Sequence, residues 1–533
     1  MAVEGGPGYP STGSNVEYRG LYGRSLLRQR GLLLVDNRGT GESALIDCKS
    51  VQGFAGRTSG SAFARRVGRC AGEIDTRFGR GASGLFATAY AADDLAAVMR
   101  ALRLGKVDLY GDSYGTYFVQ DFIARHPGML HSVVLDSAYP RRDTDPWYAS
   151  SGAAARAALE TVSPGSLARL GASLAQVRTK PLTGETKDAD GSALDVRVDP
   201  RALADMVQDS GSDPVILREL DASIVAALAG DHVPLLRLAG QANSWNHTPG
   251  DAAYFSRGAY LAVSCLDYPR VPDLRRPPDA FQPFTGAEWR TISGFSQPYD
   301  ICLDWPKPVK RPPRLPSVAL PASVPILIVG GDLDSLTPLA DAPSFAPKLG
   351  ANVEIVNLRN TVHVTSEGDT YLVEGMRCAR RIIRSFLRGA LDSACAGAIP
   401  ALHTSSYPRT LAEAAPATLV SGPDPGETAR RAATVAAQAF ADATIRRVYS
   451  EGANRGPGLR GGVFTASGRT IKLRGVRFVS DATVDGTGTF QTATGAADAT
   501  LTVAGVSVRV YWTQATPLAT ATIGDAVLSL PAP

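Results

Sequence analysis

The sequence predicts an α/β fold, a mostly parallel sheet with helices on both faces, carrying a helical insertion and followed by a small β domain. Three observations predict it. Strand and helix patterns alternate from residue 31; the alternation breaks off near residue 139 and resumes at 324; and the C-terminal stretch switches to a period of two.

Taken in order, Gly31-Leu32-Leu33-Leu34-Val35 is an apolar run closed by the turn residues Asp36-Asn37-Arg38-Gly39. Residues 90–103 have helical spacing. Val107-Asp108-Leu109-Tyr110 then runs into the glycines around Ser113, a helix follows to His126-Pro127, and Ser132-Val133-Val134-Leu135-Asp136 is the next strand. Parallel strands need a crossover, and helices supply it here. The pattern resumes at Val324-Pro325-Ile326-Leu327-Ile328-Val329, followed by a helix and by Val353-Glu354-Ile355-Val356. Residues 139–322 therefore form an insertion between two parts of one core, 1–138 and 323–415. Ala-rich and Leu/Ala-rich stretches at 152–162 and 215–240 make it mostly helical, and Pro269–Pro321 is proline-rich. It reads as a lid over the C-terminal edge of the sheet, where open α/β sheets bind ligands. Pro400 to Pro425 has linker composition. Residues 426–533 are expected to hold an Ala-rich helix at 427–448 and then strands of alternating Thr and Val, as in Thr500-Leu501-Thr502-Val503.

Composition excludes several classes. A chain of 533 residues exceeds one core, while 44% hydrophobic and 20% charged residues are ordinary globular values. A net charge of +4 over this length gives no field that would gather nucleic acid. No apolar run is long enough to span a membrane, and the opening MAVEGGPGYPSTG has neither the basic start nor the apolar core of a signal peptide. The six cysteines fall into sequence-local pairs, Cys48 with Cys70, Cys265 with Cys302 and Cys378 with Cys395, without the CxxC spacing of a metal or redox centre. Nearest-neighbour disulfides are expected, against the alternative of six buried thiols. Neither a metal nor a cofactor is called for.

The chemistry starts at Gly111-Asp112-Ser113-Tyr114-Gly115, a G-x-S-x-G element that ends a strand and opens a helix. At such a turn the glycines relieve crowding, the serine oxygen projects above the sheet, and the helix N-terminus favours a developing oxyanion. This is the nucleophile turn of the α/β-hydrolase fold. A serine hydroxyl needs a base that an acid orients, and in this fold they follow in the order serine, acid, histidine. Of the six histidines, His126 ends a helix, His131 enters a strand, His232 and His247 lie in the insertion, and His403 lies past the last core helix. His363 alone follows a late strand. For the acid, Gly330-Gly331-Asp332-Leu333-Asp334 offers two carboxylates, which spacing leaves nearly tied, since either could cap the local turn.

Across roughly residues 3–400 the chain resembles the tripeptidyl aminopeptidase branch of the prolyl-aminopeptidase family of secreted serine exopeptidases. The resemblance is carried by Glu4-Gly5-Gly6-Pro7-Gly8, Asp36 to Ser43, Gly111 to Thr116, Cys265-Leu266-Asp267, Cys302 to Pro306 and Gly331 to Pro338. Asn37 stands where the family usually has glutamine, and the glycine that often precedes the histidine is absent before His363. The resemblance selects Asp334 as the acid, which sits three residues before a Thr-Pro. It implies an oxyanion hole made by the backbone N–H groups of Gly6 and Tyr114, and a peptide substrate. Exopeptidases bind a free α-ammonium through carboxylates, and Asp267 and Asp304, each two residues from a bridged cysteine, are candidates, with Asp267 preferred. Turn capping is the competing role for both.

The family is exported, so an extracellular or cell-envelope location is expected, with the C-terminal β domain available for envelope association. In the resembled fold two strands and most of a third precede the Gly-Gly-Pro-Gly turn, the third lying between the strands that end at Val35 and Tyr110. Here only Met1-Ala2-Val3 precede Glu4. The resemblance therefore implies a natural start further upstream, or another segment filling that place. Two other activities compete with peptidase: an esterase or lipase of the same fold, and an inactive envelope-binding protein.

Overall fold

The computed structural model describes the chain apart from residues 55–59, 139, 141–148, 189–190, 246–249, 269–280, 290–300, 311, 313–318, 369–371 and 450–452. Five parallel strands form the core sheet in the spatial order Ala2–Val3, Val107–Asp112, Leu130–Asp136, Ile326–Gly331 and Val353–Leu358. Alternate residues go to opposite faces. Leu109, Val133, Leu135, Ile326 and Ile328 pack with the helices Thr88–Ala101, Tyr114–Arg125 and Ala342–Leu349. Tyr110, Val134, Leu327, Val329 and Leu358 pack with the helices Asn15–Leu27 and Val373–Leu387. Burial on both faces is why the central strands, at Val133–Leu135 and Ile326–Val329, read as unbroken apolar runs.

Ala2 pairs with Tyr110 on one side and bridges Leu34 on the other. Residues 2–3 thus lie at the place expected for the fold's third strand, and the C-terminal sheet is separate from this one. The Gly31–Val35 run, expected as a strand, makes only the bridge at Leu34. A neighbour two residues long offers too few partners for a ladder.

The strands Leu130–Asp136 and Ile326–Gly331 are hydrogen-bonded neighbours, and the expected insertion, residues 139–322, lies between them in sequence. It holds the helices Ala149–Val162, Ser166–Thr179, Pro200–Asp209, Pro214–Leu228, Val233–Trp245 and Arg257–Asp267. It also holds an unexpected hairpin, Leu182–Lys187 with Ala193–Val198, whose polar alternation hid it. The proline-rich expectation for 269–321 falls largely outside the described residues. Leu333, Val362 and Leu372, from loops of the sheet, share one apolar cluster with the helices of the insertion.

The C-terminal part is a nine-stranded antiparallel sheet on which the helix Glu427–Tyr449 lies. Its alanines, among them Ala432, Ala436 and Ala443, are fully or almost fully buried because they let the helix approach the sheet closely. Phe440 meets Trp512 edge-on at 6.0 Å. Thr418–Ser421, within the expected linker, is an edge strand paired with the last strand, Ala526–Pro531. Four residues are too few to show a period.

Cys48–Cys70, Cys265–Cys302 and Cys378–Cys395 are disulfides with Cα separations of 5.2, 5.3 and 5.7 Å. No free cysteine remains. Among the described residues no helix is long and apolar enough to cross a membrane.

Candidate active site

Ser113 sits between the strand Val107–Asp112 and the helix Tyr114–Arg125 with φ 50° and ψ −120°, a region that non-glycine residues avoid. The turn holds because its flanks lack side chains. A Cβ at Gly111 would lie 2.5 Å from the Gly115 carbonyl oxygen, and one at Gly115 would lie 2.2 Å from that of Val3. The Ser113 N–H donates to the Asp136 carbonyl at 3.0 Å, and Thr116 donates to the Ser113 carbonyl from both its N–H and its hydroxyl.

Asp334 and His363 occupy the loops after the last two strands of the core sheet, Ile326–Gly331 and Val353–Leu358. Asp334 Oδ2 lies 2.9 Å from His363 Nδ1, with the Asp334 side chain fully buried and that of His363 10% exposed. Asp334 Oδ1 accepts the N–H groups of Leu336 and Thr337 at 2.9 Å each, and the Thr337 hydroxyl donates to Oδ2 at 2.8 Å. Burial pushes the Asp334 carboxyl up, but His363 and the Thr337 bonds outweigh it and hold the group below its ordinary range. Asp332 differs. It accepts the Asn360 N–H at 2.6 Å, and burial pushes its pKa up. It caps the loop, so the two carboxylates that spacing left tied part company.

One step of the strand Leu130–Asp136 joins these pieces. The Asp136 carbonyl accepts from Ser113, and the next residue, Ser137, accepts the Val364 N–H on its hydroxyl at 2.8 Å. From the insertion, the Gly211 carbonyl accepts the His363 N–H at 3.0 Å. Among the described residues seven non-glycine residues have positive φ, and Ser113, Ser137, Asn360 and Val364 are four of them. Strain of this kind gathers where a structure over-determines a site.

The Glu4–Gly8 turn packs on Ser113, since a Cβ at Gly5 would lie 2.9 Å from Ser113 Cβ. Gly6 has φ +110°, which a side chain would oppose. Tyr114 is buried, with its hydroxyl 2.6 Å from the Thr88 hydroxyl. Asp267 Oδ2 accepts the Thr88 N–H at 2.8 Å and also the Thr88 hydroxyl, so it caps the helix Thr88–Ala101. Asp304 is exposed. His126 and His131 face Asp93 and Asp108 at 2.8 and 2.7 Å, and His247 lies outside the described residues.

Sequence reasoning missed a group of acids beside the Ser113 turn. The Tyr18 hydroxyl reaches Glu4 Oε2 at 2.8 Å and Asp112 Oδ1 at 2.9 Å; that of Tyr110 reaches Asp136 Oδ2 at 3.0 Å and Glu367 Oε1 at 3.3 Å. Oxygens of Glu4, Asp112 and Glu367 lie within 4.8 Å of one another, a spacing that a small cation would fit. Burial raises all three, and neighbouring carboxylates raise Asp112 and Glu367 further. Burial likewise pushes Asp136 up to about 6, against the hydrogen bonds from Ser366 and Tyr110. Glu4 and Asp112 stand inside the motifs quoted above. Their meeting with Glu367 has no signature in sequence.

Residues 2–195 match the family described as alpha/beta hydrolase fold, and residues 293–395 match the family described as TAP-like protein. No curated protein matches the chain. Among solved structures, proline iminopeptidase of Mycobacterium smegmatis is 14% identical over 73% of this chain and 88% of its own, with a TM-score of 0.32. A thermophilic esterase from Thermogutta terrifontis is 16% identical over 73% and 89%, with a TM-score of 0.29. Likenesses this weak say nothing of substrate.

Proposed function

This chain is an α/β hydrolase with a TAP-like region, and we propose that it is a serine hydrolase of peptides, releasing short N-terminal peptides or residues through an acyl-enzyme on Ser113. The observation that carries the reading is the buried Asp334–His363 hydrogen bond of 2.9 Å, on loops tied to the same strand step as the strained Ser113. In this reading His363 Nε2 takes the Ser113 proton as the oxygen attacks the scissile carbonyl, and Asp334 holds the tautomer and stabilises the imidazolium. The N–H groups of Gly6 and Tyr114 receive the oxyanion, each worth about 3 kcal/mol by analogy with other oxyanion holes. The imidazolium protonates the leaving amine, and water then repeats the sequence to release the acyl group.

Asp267, held in place by the N–H and hydroxyl of Thr88, is the proposed acceptor for the substrate's α-ammonium. Residues 1–138 and 323–415 make the catalytic core, 139–322 the lid, and 426–533 a further domain suited to envelope association. Three disulfides support an extracellular or envelope location, because they persist in oxidising compartments.

A fluorophosphonate probe is expected to label Ser113 and to miss the Ser113→Ala protein. Labelling that survives the substitution would remove the nucleophile assignment. Free tripeptide amides should be cleaved and N-acetylated ones spared; equal rates would leave a peptidase without amino-terminal selectivity, and turnover of acyl esters alone would make it an esterase.

A further inference from the structure

The helix Pro214–Leu228 runs from the catalytic loops to the C-terminal part of the molecule. It begins three residues after Gly211, whose carbonyl holds the His363 N–H. At Arg218 and Glu219 it reaches the junction with the segment 403–407 and the helix Glu427–Tyr449. A cavity of about 350 Å³ lies there, adjoined by one of about 80 Å³ that shares Arg218, His403 and Pro533 with it. The larger is at the small end of ligand pockets, which run from about 300 to 1,000 Å³.

The guanidiniums around it are not all paired. Arg237 pairs with Asp442 at 2.8 Å, and Arg446 pairs with Glu219 and, at 3.5 Å, with Asp442. Two carboxylates thus serve two guanidiniums. Arg218 is the third guanidinium, 9% exposed, and among the described residues none forms a hydrogen bond or ion pair with its side chain. Glu374, which lines the smaller cavity, is paired with Arg377 at 2.8 Å, and the Pro533 carboxylate makes no ion pair with Arg218. Buried charges are ordinarily paired, because an unpaired one forfeits its hydration. Two acceptors on the cavity's lining residues are also unmet, Glu219 Oε2 and Gln438 Oε1, both buried without a donor.

We propose that this cavity binds a small molecule bearing a carboxylate at one end and N–H donors at the other, a free amino acid or short peptide, with Arg218 as its anchor. The planar guanidinium fork suits a carboxylate, and the two bare acceptors suit an ammonium or amide N–H. Burial and the charge of Arg218 draw His403 below its ordinary pKa, so it stands neutral beside the anion. Ala441, Ile445 and Leu530 offer an apolar wall for a side chain. The site stands whether or not Ser113 cleaves peptides.

The test uses the full chain carrying Ser113→Ala, so that no ligand is turned over, with dialanine, dialanine amide and acetate titrated by calorimetry and by thermal melting. Dialanine should bind saturably and raise Tm, with the amide at least about tenfold weaker, since it lacks the anion that the fork grips. Arg218→Met should abolish binding yet melt at or above the parent's Tm, because it removes an unpaired buried charge at little cost in shape. Gln438→Leu should narrow the advantage of dialanine over acetate. No saturable binding by the parent, equal binding of acid and amide, or undiminished binding by Arg218→Met would overturn the proposal. So would an Arg218→Met protein that fails to fold, which would make the guanidinium a structural element; the comparison of acid with amide stands without any variant.

Discussion

Buried carboxylates are handled in opposite ways in two regions of this molecule. Beneath the nucleophile, Glu4, Asp112, Asp136 and Glu367 face tyrosines, a serine and one another, and their pKa values are pushed up. At the junction of the insertion with the C-terminal part, Asp442 and Glu219 face arginines. There the Arg237 and Arg446 charges outweigh burial and hold Asp442 below its usual range. The second arrangement is a clasp between segments remote in sequence. The first costs stability at neutral pH, and it surrounds the turn where strain is also concentrated. Stability is thus spent around the nucleophile and recovered at the clasp, the division expected when one region must hold an unfavourable geometry.

The largest effect that separates the regions is on turnover. Ser113→Ala or His363→Ala should lower kcat by about 10⁴-fold or more while moving the denaturation midpoint little, because triad members act as a unit. A residual rate within tenfold of the parent would place the chemistry elsewhere. The clasp should respond in the reverse sense. Asp442→Ala leaves Arg237 and Arg446 without a shared partner and should cost about 3–5 kcal/mol in urea denaturation, with kcat per folded molecule unchanged. A cost near zero would mean that the clasp is decoration.

How much of this was legible follows the same division. The period-two Thr and Val pattern announced the C-terminal strands, and the Ala-rich run announced the helix Glu427–Tyr449, because each periodicity is imposed by one surface on its neighbours in sequence. Ser113 was legible because its turn requires local glycines. Choosing Asp334 over Asp332 took a family resemblance, since what distinguishes them in space is which one meets His363, from a different loop. Thr337 sat in the quoted motif without a role until its hydroxyl was seen between Asp334 and His363 Nδ1, at 2.8 and 3.0 Å. Glu367, Arg218 and the clasp were illegible. The partners of Glu367 and of the clasp lie more than two hundred residues away, and no local pattern records such pairings, or the want of one at Arg218.

The pH dependence of stability should carry opposite signs in the two regions. Asp136 is raised from 3.8 to about 6. The folded state therefore binds its proton more tightly than the unfolded chain does, so its contribution is full below pH 3.8 and is lost as pH rises through about 6. A shift of that size corresponds to about 3 kcal/mol. Asp442 is lowered, so its contribution is full above its unfolded value of 3.8 and is lost as pH falls through the folded one. In urea melts from pH 4 to 7, Asp136→Asn should flatten the decline of stability seen in the parent. An unchanged slope would show that Asp136 stays ionised and that the crowding of acids is relieved by other means.

The smallest effect compares backbone strain in the two regions. Ser113 has φ 50° and Ala504, in the loop between two strands of the C-terminal sheet, has φ 47°. Both are positions where a Cβ crowds the backbone, and glycine removes the crowding at the price of a more flexible unfolded chain. Relief of a strained φ is worth about 1–3 kcal/mol and the added flexibility costs about 0.5–1 kcal/mol, so each glycine substitution should leave a net gain of about 1 kcal/mol. Only one of them should touch activity. Ser113→Gly removes the nucleophile and should be inactive and slightly more stable, whereas Ala504→Gly should be as stable and fully active. If Ser113→Gly instead destabilises the chain, the serine side chain contributes to holding its own turn, and the strain there is structural rather than a consequence of presenting a hydroxyl above the sheet.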